Sequence, residues 1–242
     1  LAEYLIGLGD DELILAHRDS EWAGHAPILE EDIAFANIAL DEMGHAAAWY
    51  RLAGEVRGQS TETYPDEMVF ARNADEFRNV QMVELPNGDW AFSLLRQYLF
   101  DSLEAVRLEA LTASDWGPLA DTAAKIRPEE LYHLRHTKAW VRRLGLGTEE
   151  SNRRMQQALD KLYPYALQPF KLSGEEEPNI PNSELLQQAW EADVHPLLAE
   201  SNLKIPEVDA SMALGREEHT PHLAELVEEM QMVARMEADA QW

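Results

Sequence analysis

Phe35-Ala-Asn-Ile-Ala-Leu-Asp-Glu42-Met-Gly-His45-Ala-Ala-Ala-Trp49-Tyr-Arg-Leu52 decides how this chain is read. Steps of three and four residues pick out Phe35, Ile38, Glu42, His45, Trp49 and Leu52, which share one face of an α-helix. A carboxylate and an imidazole therefore stand inside an apolar seam. The spacing recurs at Ala123, Ile126, Glu130, His133, Thr137 and Trp140, giving a second Glu-x-x-His in a second helical stretch. Each copy is answered upstream by a carboxylate on an apolar face of its own. Glu12 lies with Leu5, Leu8 and Leu15, 30 residues before Glu42; Asp101 lies with Leu94, Tyr98, Ala105 and Leu108, 29 residues before Glu130.

Burying an ionised carboxylate without compensation costs several kcal/mol. Four carboxylates and two imidazoles in core seams therefore need a shared counter-charge, which two divalent or trivalent cations supply. One Glu-x-x-His alone is an ordinary solvated i,i+3 contact. Two copies with matched upstream carboxylates are the layout by which four helices hold a carboxylate-bridged metal pair. The expected ligands are Glu12, Glu42, His45, Asp101, Glu130 and His133, with Glu104 competing with Asp101 one turn along. Asp10 and Asp11 flank Glu12, point away from its stripe and are expected in solvent.

Composition narrows the possible functions. The 242 residues suffice for one domain, 1–242, with a large core, and no Gly-Ser or Pro-rich linker divides them. With 45 acidic against 20 basic residues the formal net charge is −25, which repels nucleic acid and anionic membranes and favours cationic partners. The chain has 0 Cys, which removes disulfides and thiolate ligands and fits a reducing cytoplasm. No signal-like start and no long uncharged apolar run is present, so a soluble, cytoplasmic protein is expected.

The periodicity predicts helices almost throughout and no strand. The first runs from Ala2 to Asp19. The second starts near Pro27, with Glu30, Glu31 and Asp32 favoured by the dipole in its first turn, and ends near Leu52. Residues 54–87 read as a polar, irregular connection with a short helix near Asp66–Phe77. Asp89 is the expected N-cap of a helix to Ala113. Another helix spans Pro118–Gly145, with Pro128 inside it either kinking the ligand helix or starting it. Thr148 caps a helix from Glu149 to about Pro164 or beyond; a loop follows over Ser173–Pro178, then helices over Ser183–Ala199 and Pro221–Ala238.

Other groups carry less. His219 and His222, after Glu217 and Glu218, offer a surface metal pair, though solvation is the simpler expectation. His136, one turn from His133, is either an orienting neighbour of the ligands or exposed. His17 and His25 have no matched partner. Trp49, Trp140 and Tyr98 flank the ligands and read as core before any redox role. Arg142-Arg143 and Arg153-Arg154 could meet phosphates or an acidic partner, with a solvated surface the plainer reading. No phosphate loop, nucleophile elbow or nucleotide fingerprint occurs.

Several segments together carry a family resemblance: Leu8-Gly-Asp-Asp-Glu-Leu-Ile-Leu15, Ser20-Glu-Trp-Ala-Gly-His-Ala-Pro27, Glu31-Asp-Ile-Ala-Phe-Ala-Asn-Ile-Ala-Leu-Asp41, Glu84-Leu-Pro-Asn-Gly88, Arg96-Gln-Tyr98 and Tyr132-His-Leu-Arg135. Leu144 to Ser151, Ala189-Trp-Glu191 and Gln241-Trp242 extend it over essentially the whole chain. The chain resembles the ferritin-like subunits of the phenylacetyl-CoA ring epoxidase, the multicomponent oxygenase of aerobic phenylacetate breakdown, and its C-type subunit most.

The resemblance implies an all-α, ferritin-like four-helix bundle with additional C-terminal helices. It also implies a hetero-oligomer with the other components of the complex, above all the catalytic A-type subunit, meeting phenylacetyl-CoA only indirectly. C-type subunits of that family resemble bundles that have lost part of the metal set and support the A-type subunit. Here Glu12, Glu42, His45, Asp101, Glu130 and His133 match the A-type ligand positions one by one, with Trp22, Ala26-Pro27 and Gly117-Pro118 nearby. Two roles follow: a supporting subunit, or a di-iron oxygenase or oxidase in its own right. In the second role Glu42 and Glu130 bridge, Glu12 and Asp101 are terminal, and His45 and His133 give one imidazole per iron. Iron storage or peroxide handling fits less well, since the extra helices and long connection hinder tiling into a shell.

Overall fold

The computed structural model describes residues 1–170, 177–208 and 215–236, and every regular element among them is helical. In chain order these are α1 (Ala2–Ser20), α2 (Leu29–Arg57), α3 (Tyr64–Phe70), α4 (Gln81–Glu84), α5 (Trp90–Leu111), α6 (Gly117–Gly145), α7 (Glu149–Ala166), α8 (Ser183–Glu200) and α9 (Pro221–Met236). Single 3-10 turns occur at Ala74–Glu76 and Gln168–Phe170.

The four helices α1, α2, α5 and α6 form a ferritin-like bundle. In the α1/α2 pair Gly9 meets Tyr50 and Glu12 meets His45, so the helices are antiparallel. In the α5/α6 pair Asp101 meets Thr137 and Glu109 pairs with Arg127, again antiparallel. Their apolar seams face inward, burying Leu5, Leu8, Leu15, Phe35, Ile38, Trp49, Leu94, Leu108, Ala123 and Ile126. At one end Trp22, Phe35, Trp90 and Trp140 pack together, with Trp22 and Trp90 edge to face at 5.0 Å.

Local chemistry sets the ends. Asp89 Oδ1 accepts from Phe92 N at 3.0 Å, and Thr148 Oγ1 accepts from Ser151 N at 3.1 Å, both as N-caps. The second helix differs from its reading: it starts at Leu29, after a bend that holds Pro27, and runs on past Leu52 to Arg57. Gly58 ends it with φ 67°, a left-handed conformation in which its N–H bonds back to Glu55 O. Pro128 neither begins nor ends α6, which is helical on both sides of it. Ile126 and Glu130 are buried on either side, so packing holds the turn that lost its N–H.

The connection expected to be polar is instead part of the core. Besides α3, the 3-10 turn and α4, it buries Tyr64, Phe77, Val80, Met82, Val83 and Leu85. With the segment around Arg216 it covers the side of α1 opposite Glu12, so Asp10 and Asp11 are fully buried and not solvated. Asp10 accepts from Tyr50 Oη at 2.6 Å, Arg72 Nη1 at 3.0 Å and Arg78 N at 2.6 Å. Asp11 accepts from Val80 N at 2.7 Å and Arg216 Nη2 at 2.8 Å. Periodicity assigned these carboxylates to a different face correctly, but it does not say what covers that face.

Residues Ser173 to Glu176 of the expected loop, the end of the last helix at Ala238 and the terminal Gln241-Trp242 lie outside the described residues. Among the described residues no helix is long and apolar enough to cross a membrane.

Candidate metal centre

α1 presents Glu12, α2 presents Glu42 and His45, α5 presents Asp101, and α6 presents Glu130 and His133, all of them buried. They fall into two overlapping groups. In one, single ligand atoms of Glu12, Glu42, His45 and Glu130 all lie within 4.8 Å of one another; in the other, those of Glu42, Asp101, Glu130 and His133 do. Glu42 and Glu130 belong to both, so the cluster has two lobes joined by two shared carboxylates. The fold thus brings together all six residues picked out by the two motifs and their upstream partners. Glu104 is held elsewhere: its Oε1 accepts from Arg107 Nη1 at 2.5 Å, a pair that Asp11 approaches at 3.8 Å.

A surrounding layer fixes these side chains. His45 Nε2–H donates to Glu129 Oε2 at 2.8 Å, and His133 Nε2–H donates to Asp41 Oδ2 at 3.1 Å. With each Nε2 turned toward a carboxylate, each Nδ1 faces the cluster. The pairing is crossed, because the acid preceding the glutamate of each motif serves the histidine of the other. Such carboxylate–histidine pairs hold ring orientation and raise ligand basicity. Gln97 Nε2 donates to Glu42 Oε1 at 2.9 Å and Asp101 Oδ1 at 2.8 Å, while Thr137 Oγ1 donates to Asp101 Oδ2 at 2.7 Å. Sequence reasoning did not assign Asp41 and Glu129 a role; the signal available for them was the acidic doublet at Asp41-Glu42 and Glu129-Glu130.

The electrostatics describe a cluster short of positive charge. Burial foremost pushes the Glu12, Glu42 and Asp101 carboxyls well above the usual range, and neighbouring carboxylates add to this. Burial would raise Glu130 as well, but His133 and His45 outweigh it and hold that carboxyl at about 2. Burial opposes charge on the histidines too, yet Glu130 and Glu42 raise His45 to about 9 and His133 to about 10. Protons thus stand in for cations.

Both oxygens of Glu12 and Oε2 of Glu42 are buried without hydrogen-bond partners, while Nδ1 of His45 and of His133 approach Glu130 Oε1 at 3.1 and 3.5 Å without a well-directed hydrogen bond. Buried polar atoms are rarely left so, and here they converge. Hard carboxylate oxygens with two imidazoles and no thiolate form a donor set suited to iron, manganese or zinc. The residues fit a pair of such ions.

The other sequence candidates lie outside the cluster. His136 Nε2 pairs with Glu31 Oε2 at 2.9 Å, tying α6 to α2. His219 is clasped between Glu84 Oε1 at 2.6 Å and Phe77 O at 2.9 Å, which corrects the solvated reading; neither it nor His222 belongs to a metal-holding group among the described residues. His17 and His25 also stand apart from the cluster. Trp49 and Tyr98 are fully buried, and Trp140 packs against Trp90 with Arg143 over its ring at 4.5 Å. Arg142 pairs with Glu200, and Arg153 and Arg154 both pair with Glu150.

The family model described as "Phenylacetic acid catabolic protein" matches residues 1–242. The chain is 37% identical over 248 aligned residues, covering 100% of itself and 99% of the relative, to the C subunit of 1,2-phenylacetyl-CoA epoxidase from Escherichia coli. It is also 27% identical over 165 residues to the A subunit of the same enzyme from the same organism, covering 68% of this chain and 51% of that one.

Proposed function

Because this chain belongs to the phenylacetic acid catabolic protein family, we propose that it is the C-type subunit of a 1,2-phenylacetyl-CoA epoxidase, working in complex with an A-type subunit. The observation that carries this reading is the likeness to the Escherichia coli C subunit, which covers 100% of this chain and 99% of that one. The test is co-expression with the A-type subunit of the same genome, which should give one co-purifying complex that epoxidises phenylacetyl-CoA. Separate elution of the two chains at micromolar concentration and low salt would remove the assignment's main support.

A second reading is favoured by the six-residue cluster: this subunit holds two metal ions of its own and takes part in the oxygen chemistry. Glu42 and Glu130 would be shared between the ions, Glu12 with His45 would complete one site, and Asp101 with His133 the other. Iron there would supply redox chemistry toward dioxygen. The chain's own contribution is to keep both imidazole lone pairs inward through Glu129 and Asp41, to fix Asp101 through Gln97 and Thr137, and to exclude water by burial. Steady-state epoxidation by the complex carrying His133→Ala separates the two readings. Turnover within a few-fold of wild type, with assembly intact, is expected of the supporting role; near-complete loss would assign chemistry to this subunit.

A further inference from the structure

α2 carries two apolar seams. Phe35, Ile38, Glu42, His45, Trp49 and Leu52 face the bundle, while Leu29, Ile33, Ala36, Leu40, Met43 and Ala47 repeat at alternating steps of four and three on the opposite side. That spacing is a heptad seam, the form in which one helix is read by another. It spans roughly 27 Å at the α-helical rise per residue. A helix apolar on opposite faces is one built to be buried on both. Yet Leu29 is 72% exposed, Ile33 55%, Leu40 62% and Met43 45%. Toward its far end, a Cβ added to Gly44 would meet nothing within 4 Å, leaving room for a close backbone approach.

The rim of the seam is acidic. Glu30 and Asp41 flank it on one side and Asp32 on the other, and Arg51 closes its far end. Two copies of a chain of formal net charge −25 repel one another, which disfavours a second copy. The complementary surface is a helix with an apolar seam and basic flanks. We propose that the Leu29–Ala47 face of α2 is the docking surface for such a helix of the A-type subunit; this rests on the function proposed above. Docking there would also close over Asp41, whose side chain is 42% exposed while it orients His133.

The test uses the full chain and the A-type subunit of the same genome. Affinity is measured by interferometry for wild type, Ile33→Asp, Leu40→Asp and, as a control on α8, Leu185→Asp, which changes a side chain 65% exposed. Folding is checked by circular dichroism and melting temperature. Because the seam positions are solvent-exposed, the variants should fold as wild type does. Each seam variant should weaken binding at least about a hundredfold, the scale of a charge forced into a desolvated contact. Leu185→Asp should bind as wild type does, and wild-type affinity should fall with added salt because the rim is charged. Wild-type affinity in Ile33→Asp and Leu40→Asp would overturn the surface while leaving the proposed function intact. No binding by the wild type would overturn that function and the surface with it. A wild-type homodimer that Leu40→Asp dissociates would give the seam to a second copy instead.

Discussion

Asp41 of α2 reaches across to α6, placing its Oδ2 3.1 Å from His133 Nε2, although it belongs to the motif that supplies Glu42 and His45. The contact fixes which nitrogen of His133 faces the cluster. Asp41→Asn keeps the size but removes the charge that favours an N–H donor at Nε2, and it permits the opposite tautomer. Metal affinity should fall about 10–100-fold, as for other orienting partners of metal-bound histidines. Competition against a chelator of known affinity measures it; unchanged affinity would mean that Asp41 is a bystander. Glu129→Gln should act alike through His45.

Metal entry should expel protons. Near neutral pH both histidines are charged in the metal-free cluster, with His45 raised to about 9 and His133 to about 10, each over the opposing effect of burial. Burial also keeps Glu12, Glu42 and Asp101 protonated above their usual range. Ligation requires each Nδ1 and carboxylate to be free of its proton. At pH 7 loading should release at least two protons per chain, one from each histidine. Affinity should climb as pH rises toward the histidine values. Calorimetry in buffers of different ionisation enthalpy counts the protons, and a count of zero would contradict this electrostatic account.

How much of this was legible beforehand depends on whether a residue's role was local. The six clustered residues were, because a polar group in a 3-4 apolar stripe marks itself, and helix caps such as Asp89 and Thr148 depend only on neighbours. Asp10 and Asp11 were misread because their partners, Arg72, Val80 and Arg216, come from distant segments whose packing no periodicity encodes. The 54–87 connection was misread for the same reason: Phe77, Val80 and Val83 recur at every third residue, which matches neither the two-residue period of a strand nor the three-four alternation of a helix. The outer seam of α2 was present in the sequence, overshadowed by the ligand-bearing seam on the same helix.

His219 gives the fold a pH-dependent tie. Both of its nitrogens face acceptors, Glu84 Oε1 and Phe77 O, so the charged ring satisfies both contacts. Partial burial works against that charge, but Glu84 outweighs it and raises the pKa above the ordinary value. A histidine whose folded pKa exceeds its unfolded one contributes fully below ~6.5 and loses that contribution as pH rises through the folded value. Denaturant melts across this range should show wild-type stability declining toward alkaline pH. His219→Gln should be less stable than wild type at pH 6, with the gap narrowing as pH rises; a gap independent of pH would assign the contact to packing alone.

Two helical glycines should respond to alanine with opposite signs. On α1, a Cβ at Gly9 would sit 2.5 Å from Tyr50 Cε1. That ring cannot easily retreat, since Tyr50 is fully buried and its hydroxyl donates to Asp10 at 2.6 Å. Gly9→Ala must then separate α1 from α2 or break the Tyr50–Asp10 bond, a cost of about 1–3 kcal/mol typical of overpacking. Gly44 on α2 meets the reverse condition, with open space where its Cβ would go. There alanine removes only the entropic penalty of glycine in a helix, stabilising the isolated chain by about 0.5–1 kcal/mol. Urea melts of the two variants beside wild type should move their midpoints in opposite directions. A stable Gly9→Ala would show that the α1–α2 contact is looser than the 2.5 Å approach implies.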